Sequence, residues 1–144
     1  MSTKKRAKFS IQPRQEKVPR IAEDAERFRK LNFNWRAVER YIDFDHEDWG
    51  WGKVTIQEFF LKLLPRLYNY ETMIWNDILR RPSCHSIEVS KVCRKAQQRL
   101  EEIHPDIDTL HQIDTSQLGR LWGYREHQTM YLIWHDPKHT VYPV

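Results

Sequence analysis

The chain has only four glycines and two cysteines in 144 residues, and no apolar run long enough to cross a bilayer. So few glycines leave no Gly-rich loop to cradle a phosphate. Neither a nucleophile elbow nor a paired catalytic carboxylate motif is present. Nucleotide hydrolysis, α/β-hydrolase chemistry and glycosidase chemistry are therefore without support. Cys84 and Cys93 lack ligand-like spacing, which argues against a structural zinc site or a disulfide scaffold. The N-terminus carries no apolar signal region. These absences lead us to expect a cytoplasmic protein with free thiols, no membrane partner and no cofactor.

What the chain does have is aromatic surface and an uneven charge. Six Trp, six Tyr and six Phe can fill a sizeable core despite the polar average. The net charge of +4 is a property of one end. Residues 1–20 hold seven basic side chains against Glu16, a net +6, so the remaining 124 residues sum to −2. Two prolines and few apolar residues make this leader an expected disordered segment. Its Lys4, Lys5, Arg6 and Lys8 are candidate phosphate contacts, acting through charge neutralisation and counterion release. A merely solvated extension is the competing reading.

Residues 21–144 read as one α+β domain: three or four helices on a small, mainly antiparallel sheet built largely from C-terminal strands. Ile21 to Leu31 can form a short helix, while Asn32 to Asp45 fits a helix or an aromatic strand. His46 to Gly52 is a break, with Trp49 and Trp51 either stacking bases or pinning a loop to the core. From Thr55, the residues Ile56, Phe59, Phe60, Leu63, Leu64 and Leu67 form a core-facing helical stripe that Pro65 should kink. Thr72 is placed to cap a short helix with Ile74, Trp75, Ile78 and Leu79 inward. A helix opening at Ser86 or Ser90 buries Val89, Val92, Cys93, Ala96, Leu100 and Ile103. On its outer face Lys91, Arg94, Lys95 and Arg99 precede Glu101 and Glu102, against the helix dipole. Lys91, Arg94 and Lys95 are thus candidate nucleic-acid contacts, or a solvated face. Pro105 to Leu118 reads as a connection.

Gly119 to Val144 gathers the densest chemistry. Gly119–Glu126 and Met130–Trp134 read as strands joined by a tight turn, and the second suits a strand buried on both faces. Asp136-Pro137-Lys138-His139 is a turn, and Thr140–Val144 a short closing strand. Alternation puts Arg120, Trp122 and Tyr124 on one face and Leu121, Gly123 and Arg125 on the other. On the second strand it groups Tyr131, Ile133 and His135. Arg120, Arg125, Lys138, His139 and Tyr142 are the candidate catalytic residues. Arginine and lysine hold phosphate and transition-state charge, while histidine, tyrosine or lysine moves protons. His135 and His139 are spaced i, i+4, but a proline turn interrupts them, so no metal is assigned.

The segments E-T-M-I-W-N-D-I-L (Glu71–Leu79), K-A-Q-Q-R-L (Lys95–Leu100), R-L-W-G-Y-R and L-I-W-H-D-P-K-H-T-V-Y-P resemble a family of small uncharacterised bacterial proteins. That family ends in roughly R-W-G … L-W-W-D-P-x-H-x-V-Y-P, with His135 standing here where the family often has a second Trp. The family carries no function over to this chain. If Asn32–Asp45 is a strand, the element order is also similar to RelE/ParE-like toxins of toxin–antitoxin pairs, a likeness of topology. It implies an RNA or ribosome target, an antitoxin-like partner and a metal-independent ribonuclease. The alternative is a non-catalytic module that binds protein or nucleic acid through the basic leader and the aromatic sheet face.

Overall fold

The computed structural model describes residues 26–143, so the leader lies outside the described residues, as do residues 21–25 of the Ile21–Leu31 segment. Its described end is a 3₁₀ turn, Phe28–Lys30, with Phe28 buried. The architecture is α+β. A five-stranded mixed sheet has the order β1-β5-β4-β3-β2, with β1 Asn34–Arg36, β2 His85–Glu88, β3 Thr109–Asp114, β4 Arg120–Glu126 and β5 Thr129–Asp136. Strands β2 to β5 pair antiparallel, and β1 runs parallel to β5. Three helical units flank the sheet among the described residues. Helix α1 runs through Ile56–Glu58, a π-helical stretch Phe59–Leu63 and Leu64–Glu71; α2 is Trp75–Leu79 and α3 is Arg94–Ile103.

Each face of the sheet is covered. Helices α1 and α2 pack Leu67, Tyr70, Trp75 and Ile78 on Ile113, Leu121, Met130 and Leu132. On the other face Ala96 and Leu100 of α3, together with Trp49 and Val141, cover Leu110, Trp122, Ile133 and Trp134. Strand β5 is the expected doubly buried strand. Its hairpin partner turns at His127, which adopts φ 57°.

Several expectations are corrected. The stripe on α1 is only half right: Leu63 and Leu67 are buried, but Ile56 and Phe60 are 78% and 56% exposed. Pro65 supplies no N–H to the ladder, and the wider π turn before it shifts the phase of the stripe. Thr55 does cap this helix, accepting from Glu58 N at 3.0 Å. Thr72 does not cap α2; its hydroxyl donates to Asn69 O and closes α1. The segment after Ser86 is not helical at first: β2 and a 3₁₀ turn, Val89–Lys91, precede α3, which starts only after Cys93.

Pro105–Leu118 is no connection, since it contains β3, an inner strand of the sheet's antiparallel part. Its buried His111, Gln112 and Asp114 hide the apolar signal. Of the expected closing strand Thr140–Val144, the described residues 140–143 are not a strand either. Both edges of β5 are already taken, by β1 and β4, and the Asp136 carboxylate captures the Thr140 and Val141 amides at 2.9 and 3.0 Å. The tail instead crosses the α3 face, where Cys93 N donates to Val141 O at 2.8 Å.

One irregularity re-aims side chains. Trp122 pairs with Trp134 but Gly123 pairs with Leu132, so Ile133 is an extra residue in β5. The bulge puts Ile133 and Trp134 on the same side and sends His135 to the α1 face beside Trp51, overturning the expected grouping of Tyr131, Ile133 and His135. Gly123 is required there: a Cβ would lie 2.4 Å from the Tyr131 carbonyl oxygen.

Candidate functional site

Three buried carboxylates organise the framework on which any site must be built. Asp43 accepts from both Nε and Nη2 of Arg99 at 2.9 and 2.8 Å and from the Trp134 indole at 2.8 Å. Arg99 and the indole outweigh burial and hold its pKa at about 2. Asp114 accepts from Arg66 at 2.5 Å, Arg81 at 3.1 Å, Tyr70 at 2.6 Å and the Ser83 hydroxyl. These donors overcome burial and hold its carboxyl well below the usual carboxylate range. Among the described residues no cation pairs with Asp136; it takes the Trp122 indole at 3.1 Å and the tail amides. All three are framework carboxylates with their acceptor capacity used.

The five proposed catalytic residues do not share one place. Arg125 lies on the α1 face, its guanidinium carbon 3.4 Å from the Phe28 ring centre, its Nε donating to His111 at 3.3 Å and its Nη1 to His127 O at 2.6 Å. Lys138 is exposed beside a groove of about 510 Å³ that Glu47, Asp48, Lys53 and Lys95 also line. The other three belong to the α3 face. Arg120 is buried, and its Nη1 donates to the carbonyls of Ser116, Gln117 and Gly119 at 3.3, 3.3 and 2.9 Å. His139 sits in the tail turn at φ 57°, and Tyr142 is half-buried against the same core.

Two residues not anticipated from the sequence join them. Gln112 lies opposite His85 in the β2–β3 register, with its Nε2 3.3 Å from His85 Nε2. That amide also donates to Ser83 O at 2.9 Å, so in the neutral ring His85 Nε2 is the acceptor and Nδ1 carries the proton. The His85 ring meets Tyr142 edge-on at 6.3 Å. Burial, and next the Arg120 charge, push the His139 pKa down, with His85 adding to the effect and Asp136 opposing it. His85, Gln112, Arg120, His139 and Tyr142 therefore form one group at the crossing of the tail over the sheet.

Two atoms in this group are buried without a partner: Arg120 Nε, a donor, and Gln112 Oε1, an acceptor. A buried polar atom without a partner costs about 1–3 kcal/mol, so such a pair in one group marks where a polar ligand or water is accommodated. The sequence carried little signal for Gln112 and His85: Leu110 and Ile113, the apolar residues of Thr109–Asp114, are three apart and pack on opposite faces, and polar residues fill the other buried positions.

Of the candidate nucleic-acid contacts, Lys95 is ion-paired to Glu47 at 2.8 Å and Asp48 at 2.5 Å, whereas Lys91 and Arg94 are exposed. Lys4, Lys5, Arg6 and Lys8 lie outside the described residues. Among the described residues no three His, Cys, Asp or Glu side chains converge as a metal-ligand set, and no helix is long and apolar enough to cross a membrane. Cys84 and Cys93 are free thiols. No protein-family model, curated protein or solved structure matches this chain.

Proposed function

We propose that this is an RNA-directed protein that cleaves a phosphodiester without a metal, at the group formed by His85, Arg120, His139 and Tyr142. The observation that carries the reading is the buried, unpartnered Arg120 Nε, together with the Arg120 charge acting on the His139 imidazole. A guanidinium supplies charge where a phosphoryl oxygen gains it, and a neutral imidazole supplies a base. His139, its pKa lowered by burial, is neutral near pH 7 and takes the proton of the ribose 2′-hydroxyl. The O2′–P bond forms as the P–O5′ bond breaks, and O5′ takes a proton from solvent water. The products are a 2′,3′-cyclic phosphate and a free 5′-hydroxyl.

Within this reading Lys138 and Arg125 lie away from the reacting phosphate. A role as the toxin of a toxin–antitoxin pair, with the ribosome as target and an antitoxin-like protein as partner, extends the same proposal. The test is cleavage of an end-labelled single-stranded RNA in excess chelator. Cleavage is expected with the native chain and is expected to fall at least a hundredfold in His139→Ala. An equally active His139→Ala variant overturns the assignment.

A second reading has its own observation. Arg120 Nη1 is committed to three loop carbonyls, which suits a rigid binding surface rather than a group that follows a moving charge. A non-catalytic nucleic-acid-binding module shows RNA affinity that falls steeply with salt, without turnover. Removal of residues 1–20 separates the two, since a module that depends on the basic leader loses its affinity while an enzyme keeps its cleavage.

A further inference from the structure

A groove of about 380 Å³ runs along β2, the open edge of the sheet, and Tyr142 and His85 of the group above line one end of it. Ile87, Ser86, Thr109 and Lys91 continue its wall. Among the described residues no strand pairs with this edge. Val89 N donates to Asp108 O at 2.9 Å, and that pair continues the β2–β3 register. Hydrogen-bonded pairs alternate along an antiparallel ladder, so His85 and Ile87 face β3. The N–H and C=O of Ser86 point outward, side by side, from the sheet edge.

We propose that this groove is a base subsite for single-stranded RNA, holding one nucleobase next to the phosphate that Arg120 and His139 receive. The inference rests on the RNA reading and specifies where the chain of the substrate lies. The base stacks on the Tyr142 ring and pairs a donor–acceptor edge with the Ser86 carbonyl and amide. Lys91, exposed at the rim, meets the following phosphate. Glu88 also lines the groove, so its charge is balanced by Lys91 and it does not act as a phosphate track. A neutral, planar group with both a donor and an acceptor fits this wall better than a run of phosphates does. Its volume is at the lower end of the roughly 300–1,000 Å³ typical of small-ligand sites.

The experiment measures binding of labelled single-stranded octamers of A, C and U to the full chain, alongside cleavage. Tyr142→Ala is expected to weaken binding about tenfold and Tyr142→Phe to leave it nearly unchanged, since stacking needs the ring. Ser86→Pro removes only the outward amide of an edge strand, and is expected to erase most of the preference among the octamers. Thermal melting within a few degrees of the native chain confirms that each variant is folded. If Tyr142→Ala and Ser86→Pro bind like the native chain while His139→Ala loses cleavage, the base subsite is overturned and the RNA reading stands. If the native chain binds none of the octamers, the RNA reading falls and the subsite with it.

Discussion

On the α1 face of the sheet a buried carboxylate is held by cations; on the α3 face one is held without any. Asp114 draws Arg66 and Tyr70 from α1, with Arg81 and Ser83 from the loop between α2 and β2, onto the end of β3. Asp136 uses the Trp122 indole and tail amides to fold Pro137–Pro143 back across the sheet. Asp43 stands between the two designs, with one guanidinium and one indole. The difference has a physical origin. Guanidinium groups paired with a buried carboxylate avoid most of the desolvation cost when they keep partial access to water, and Arg66 and Arg81 keep about a third of their side chains exposed. Indoles and backbone amides tolerate full burial, so the α3 face closes under a tail that no cation supports. The candidate site lies where that tail ends.

The largest effect expected from breaking this comparison is at the indole shared by the tail side and Asp43. Trp134→Ala should cost about 4 kcal/mol, and Trp134→Phe about 2 kcal/mol because Asp43 still loses a donor. Chemical denaturation of the two variants checks the ratio. Comparable values for Ala and Phe would mean that the hydrogen bond to Asp43, rather than the packing, dominates.

Next comes the contrast between the carboxylates themselves. Asp114→Ala and Asp136→Ala should each cost about 3 kcal/mol, since both orphan buried donors. Only the first should shrink in 1 M salt, where screening lowers the worth of half-exposed ion pairs. A salt-independent Asp114→Ala cost would remove the distinction drawn between the faces.

The smallest expected effect is a pH slope. His111 is buried beside Trp75, accepts from Arg125 at Nε2 and leaves its Nδ1 unpartnered. Burial, then the Arg125 charge, lowers its pKa from 6.5 to about 3. The unfolded chain therefore binds the proton first. The stability tied to the neutral ring is complete above pH 6.5 and is lost as pH falls toward 3. Between pH 6 and 4 this amounts to about 2 kcal/mol. His111→Gln keeps an acceptor for Arg125 without the titration, so its stability profile over that window should be flatter. Asp43 contributes stability that is complete above pH 3.8 and lost as pH falls through about 2, and the substitution leaves that contribution in place. An unchanged slope in His111→Gln would place the acid sensitivity elsewhere.

Read as sequence, the last quarter already carried the hairpin, the doubly buried β5 and the Asp136 turn. Strong period-two alternation and a proline turn are local signals. The α+β class and the Thr55 cap were legible for the same reason. The strand β3 was not, because Gln112 and Asp114 are buried only by virtue of partners more than 25 residues away in the chain, and His111 only by the packing of distant aromatics. The candidate site divides along the same line. Arg120, His139 and Tyr142 stood out as residue types on a short span, but Arg125 could not be separated from them until the sheet placed it on the other face. His85 and Gln112 entered only through pairing across the sheet.

By itself the sequence determined the free thiols, the basic leader's charge, the turns and the alternation of most strands, all of which depend on neighbours in the chain. Tertiary structure alone decided three things. The Ile133 bulge re-aimed His135, Asp136 drew the tail off the sheet edge, and the pairing of β2 with β3 brought His85 to Tyr142. Each depends on contacts between distant segments, where burial and hydrogen bonding override local preference.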